Sequence, residues 1–66
     1  MNAQLLDKTV KDSGLKWNYI AGRLGITTQA VRNKRKGITD FTKSEQEVLA
    51  SILNMTDEQR LFIFDS

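Results

Sequence analysis

Ile20-Ala21-Gly22-Arg23-Leu24-Gly25-Ile26-Thr27-Thr28-Gln29-Ala30-Val31 is the stretch on which the fold turns. Trp17, Ile20, Ala21 and Leu24 form an apolar stripe at three- and four-residue spacing that runs into Gly25. Gly25 tolerates the positive φ of a tight turn. Thr27 follows, and its hydroxyl suits an N-cap because it accepts the orphan amide hydrogens of a first helical turn. Ile26 before that cap and Val31 beyond it have the spacing of a hydrophobic staple. Ala21 is small where a second helix has to cross closely, Ile26 plugs the angle between the helices, and Val31 anchors the second one. The order helix, tight turn, helix is that of a helix-turn-helix, whose second helix can lie in a major groove.

Outward from this stretch the chain reads as helix throughout. A first helix is predicted over 2–13, with Asn2 as N-cap, Ala3, Leu6 and Val10 on one face with Leu5 beside them, and Gly14 as its stop. The second covers Trp17–Leu24, and the third runs from Thr28 through Lys36 to Gly37 with its cations toward the C-terminal end, where the dipole favours them. A fourth fits 43–53 behind a capping box of Thr42 and Glu45, burying Val48, Leu49, Ile52 and Leu53. A second box, Thr56 with Gln59, opens a fifth helix through Phe64. No stretch alternates apolar and polar residues as a strand would. The expectation is an all-α fold, a compact bundle of five short helices forming one domain over 1–66, with turns of two to five residues.

Composition narrows the function classes. The 66 residues include no Cys, no His and no Pro, so the chain itself supplies no disulfide, no thiolate metal site and no histidine base. The carboxylates Asp7, Asp12, Asp57 and Glu58 show no catalytic or metal-ligand spacing, and no enzyme, metal or cofactor is expected. The longest apolar run, Leu61-Phe62-Ile63-Phe64, is far short of the roughly 20 residues of a membrane span, and no signal peptide is read at the N-terminus. A soluble intracellular protein is the expectation. The net charge of +2 is unevenly spread. Residues 16–43 hold seven cations (Lys16, Arg23, Arg32, Lys34, Arg35, Lys36, Lys43) against Asp40 alone, a charge of +6, and the rest of the chain carries −4. A cationic middle points to a polyanionic partner.

The pattern Leu15-x4-Ile20-Ala21-x2-Leu24-Gly25-Ile26-Thr27-x3-Val31-x5-Gly37 resembles the helix-turn-helix of phage Cro and repressor proteins, the lambda-repressor-like family. The likeness continues more weakly through the fourth helix, and 41–64 is similar to small regulators of phages that infect Gram-positive bacteria. It implies a phage- or prophage-encoded protein acting in the cytoplasm of a bacterial cell. Three positions depart from the family pattern. Lys16 stands where Ser or Thr usually caps the second helix. Trp17 replaces a common phosphate-binding Gln, and can either donate its indole hydrogen to a phosphate or pack on the apolar stripe. Lys34 replaces a residue that is commonly apolar, and a lysine stem can cover the core while its head reaches a phosphate.

Roles follow from the helix spacing and the resemblance together. With Ala30 and Val31 inward, Thr28, Gln29, Arg32, Asn33 and Lys36 point outward. The resemblance implies that the first two helical positions and those one turn later read base edges, which here are Thr28, Gln29, Arg32 and Asn33. Gln29 suits adenine, Arg32 suits guanine, and the Thr28 methyl suits thymine, while Asn33 fits adenine or a phosphate. Candidates for phosphate contact are Lys16, Lys34, Arg35 and Lys36, with the backbone amides near Trp17 and Asn18. Arg23 stays open between a phosphate and the solvent side. Five or six neutralised phosphates would give a log–log salt slope of roughly −5.

The expected partner is a double-stranded DNA operator. The crowded tail adds a second expectation. A monomer buries two of its four apolar residues, with Leu61 and Phe64 as the candidates, so that Phe62, Ile63 and Phe64 include the surface a partner would cover. That partner is a second copy, which would set two recognition helices roughly 34 Å apart on DNA, or another repressor. The alternative function is therefore a helix-turn-helix modulator that acts by protein–protein contact with another repressor.

Overall fold

In the computed structural model, residues 1–65 are described. Five helices follow in order: α1 Ala3–Ser13, α2 Trp17–Leu24, α3 Thr28–Arg35, α4 Lys43–Ile52 and α5 Asp57–Phe64. No strand occurs among the described residues. Each start has a local cause. The Asn2, Thr27, Thr42 and Thr56 side chains accept backbone hydrogens from Leu5, Ala30, Glu45 and Gln59. The last two are reciprocal capping boxes, because Glu45 and Gln59 each accept the amide hydrogen of their own capping threonine at 2.8 Å. Among the described helices only α2 opens without a side-chain cap, behind Lys16.

The α2–α3 connection is three residues long. Gly25 takes φ 73°, its N–H donates to the Gly22 carbonyl, and the Ile26 N–H donates to the Ala21 carbonyl. This is a Schellman closure, which needs the left-handed conformation that glycine adopts without strain. α4 ends the same way on a residue that is not glycine: Asn54 sits at φ 51°, and Met55 N–H donates to the Ala50 carbonyl. α3 stops at Arg35, and the following connection, 36–42, is seven residues, longer than the turns expected from the sequence.

Leu6 and Val10 of α1, Ile20 of α2, Phe41, Leu49 of α4, Leu53 and Ile63 of α5 make the core, and each is at most 8% exposed. α2 packs on α3 and α4, and α1 packs on α5. The Asn2 N–H donates to the Ile63 carbonyl at 2.6 Å, so the start of α1 closes the last turn of α5. Ala21 and Val31 are buried, as the spacing required. Among the described residues no helix is long and apolar enough to cross a membrane.

Candidate nucleic-acid interface

α3 carries four side chains over its two turns that spacing assigns outward. Thr28, Gln29 and Arg32 are exposed, and Asn33 is half-buried. The Gln29 amide Nε2 donates to Asn33 Oδ1 at 3.2 Å, an i,i+4 bond that orders two of them against each other on the helix surface. Lys36, just beyond the helix, is exposed as well. No acid lies within α3.

The inward side of α3 is not apolar. Val31 is its one buried residue, and Lys34 and Arg35 follow it at i+3 and i+4, on the same side. Lys34 is therefore turned into the fold and not toward a phosphate. Its Nζ lies 2.9 Å from Glu45 Oε1, with both side chains under 15% exposed, and it also donates to the Asp40 carbonyl at 2.9 Å. The same ammonium stands 5.9 Å from the centre of the Phe41 ring. Glu45 is thus shared between the α4 cap and α3. Burial alone would raise its pKa. The Thr42 amide, the Lys34 ammonium and the Thr42 hydroxyl outweigh that and hold it below the ordinary carboxylate value.

Arg35 meets a similar fate. Its guanidinium stacks 4.2 Å from the centre of the Trp17 ring and reaches Asp7 of α1 through Nε and a terminal nitrogen, each at 3.2 Å. Trp17 lies half-buried against the core with Arg35 over it. Of the two roles open to Trp17, packing is the one its position serves. Arg35 joins α1, α2 and α3, and its side chain stays 31% exposed beside Arg32 and Lys36.

The cationic surface is accordingly smaller than the sequence count. Asp7 and Glu45 come from outside 16–43 and sit on Arg35 and Lys34, which brings the +6 of that segment to +4. Lys16 and Asn18 are exposed at the open start of α2, and Lys16 and Lys36 make no ion pair among the described residues. Arg23 donates to the Tyr19 hydroxyl at 2.9 Å one turn away, on the solvent side of α2. Asp7 and Glu45 were missed as partners because nothing local marks them. The inward offset of Lys34 and Arg35 from Val31, however, was a usable signal.

The tail is also rearranged. Ile63 is fully buried and belongs to the core, so it is unavailable to a partner. Phe64 is half-buried and packs edge-on against Phe41, with ring centres 6.4 Å apart. Leu61, expected to bury, is 58% exposed beside Phe62 at 60%. Ile63 takes the inward position because α5 meets α1 along that side, where Ile63 also bonds Asn2. Among the described residues no group of His, Cys, Asp or Glu is placed to hold a metal ion. No protein-family model, curated protein or solved structure matches this chain.

Proposed function

We propose that this chain is a sequence-specific, double-stranded DNA-binding regulator of the lambda-repressor-like type, with α3 lying in the major groove of an operator. The observation that carries the reading is the outward face of α3. Thr28, Gln29, Arg32 and Lys36 stand exposed there, Asn33 is held to Gln29, Val31 and Lys34 occupy the opposite side, and Arg35 borders the face beside Arg32 and Lys36. Eight residues of helix are about 12 Å long, which suits a groove about 12 Å wide. Gln29 and Arg32 carry the hydrogen-bond patterns that discriminate adenine and guanine. Thr28 and Asn33 supply the flanking base contacts, and Lys16 and Lys36, with the amides opening α2 near Asn18, fix the register on phosphates. Counting Lys16 and Lys36 as the cations free of ion pairs and placed on phosphates, the salt slope falls from roughly −5 to about −2. On this reading the chain represses from an operator in a bacterial cytoplasm and needs no cofactor.

A second reading keeps a specific observation of its own. Leu61 and Phe62 are exposed on α5, as they would be in a modulator that binds another repressor. Selection from random duplexes, followed by titration of Gln29→Ala with Arg32→Ala, separates the two. Both side chains are exposed, so the double variant keeps its fold. Loss of specific binding with weak salt-dependent binding retained supports the operator reading. No enriched duplex, or no effect of the double variant, leaves the modulator.

A further inference from the structure

α5 presents a patterned face that the DNA reading does not use. Glu58, Leu61, Phe62 and Asp65 fall at i, i+3, i+4 and i+7, along one side of the helix. The helical bonding extends to the end of that side, because the Asp65 N–H donates to the Leu61 carbonyl at 3.0 Å. The four side chains line one shallow surface depression, and no cation lines it. Leu61 and Phe62 are 58% and 60% exposed at its centre, and Glu58 and Asp65 are exposed at its two ends. Neither carboxylate is in an ion pair among the described residues.

The charges decide what can cover the apolar pair. A second copy docked antiparallel would set Glu58 against the Asp65 of its mate, and a parallel pairing would set like against like. Either arrangement gathers four carboxylates around the apolar centre, which is destabilising, while the nearest cations, Lys43 and Arg60, line the neighbouring depression on the other side of Leu61 and Asp65. Anionic lipid headgroups would be repelled in the same way. A surface with apolar side chains between two cations is complementary. The carboxylates sit seven helical residues apart, about 10 Å along the axis. A helix with Lys or Arg at i and i+7 and apolar residues at i+3 and i+4 repeats that spacing with the opposite sign.

We infer that the Glu58–Leu61–Phe62–Asp65 face of α5 is a docking surface for a cationic amphipathic helix of another protein. It replaces the homodimer expected from the tail with a heterologous partner, and it stands whether or not α3 binds DNA.

The test uses the whole chain and a synthetic peptide of about 15 residues, long enough to hold a helical turn pattern, built on Lys-x-x-Leu-Leu-x-x-Lys in an Ala and Gln background. Amide chemical shifts report where it binds. Saturable shifts centred on residues 58–65 are expected, and binding should weaken by about tenfold or more for Phe62→Ala and for the same peptide with Glu in place of Lys. Glu58→Lys with Asp65→Lys should reverse the preference between the two peptides. Thermal unfolding checks that these surface variants are folded, and sedimentation of the free chain should show a monomer. Equal binding of both peptides, shifts centred away from α5, or a dimer that Phe62→Ala dissociates would each overturn the inference.

Discussion

α3 and α5 each span eight residues, and each starts behind a threonine whose hydroxyl accepts an amide hydrogen of the first turn. Their sides are nevertheless opposed. α3 buries only Val31 and is fastened by two cations, Lys34 on Glu45 and Arg35 between Asp7 and Trp17. α5 buries Ile63, rests Phe64 on Phe41, and turns Leu61 and Phe62 outward. A charged side chain can anchor a helix if its position faces inward and a carboxylate meets it there. An apolar side chain anchors nothing if its position faces out. Position on the helix, set against the neighbouring elements, outranks residue type.

The sharpest way to break that comparison lies within α5. Ile63→Ala should cost about 3 kcal/mol, because a fully buried aliphatic side chain is lost and a cavity is left. On a domain of this size that lowers the melting temperature by about 12 °C or more. Phe62→Ala, one residue away, should change stability by no more than about 0.5 kcal/mol. Thermal unfolding followed by circular dichroism measures both, and equal effects would mean that the faces of α5 are assigned wrongly.

The α3 side of the comparison is sharpened by a second pair. Lys34→Ala leaves Glu45 nearly buried with only Thr42 to bond it, and should cost about 2 kcal/mol in urea denaturation. Lys36→Ala should be nearly silent in the same assay. In salt titrations of DNA binding the order inverts. Lys36→Ala should make the slope shallower by about 1, and Lys34→Ala should leave it nearly unchanged.

The smallest effect is a pH dependence. Burial raises the Glu45 pKa, but the Thr42 and Lys34 contacts outweigh it and the folded value lies below the unfolded one. Stability from this group is therefore complete above its unfolded pKa and is lost as pH falls through the folded value. Urea midpoints measured from neutral pH downward should fall for the native chain, and Glu45→Gln should flatten that acidic limb.

Much of this was legible in the chain. Asn2, Thr27, Thr42 and Thr56 cap as their positions predicted, both capping boxes close, and Gly25 makes the expected turn. Caps and turns act over three or four residues, so local sequence is sufficient. The outward set Thr28, Gln29 and Arg32 was legible for the same reason, since helical periodicity assigns it once Val31 is inward. Spacing from Val31 turns Lys34 and Arg35 inward, but the partners that hold them were not legible. Basic residues at the end of a basic helix suggest a polyanion, and the carboxylates that take them arrive from α1 and α4. The tail misled in a related way. Four consecutive apolar residues contain no periodicity, so nothing local ranks Ile63 above Leu61 for burial.

The sequence by itself determined five helices, their caps, a three-residue turn between α2 and α3, and a +6 segment around them. Tertiary structure alone decided which of those charges remain outward and which apolar residues of α5 are covered. An ion pair such as Arg35–Asp7 joins residues 28 apart, and its existence depends on how separate helices approach. Propensity and capping end within a turn of the residue that causes them, whereas pairing and burial are set by whatever the fold brings alongside.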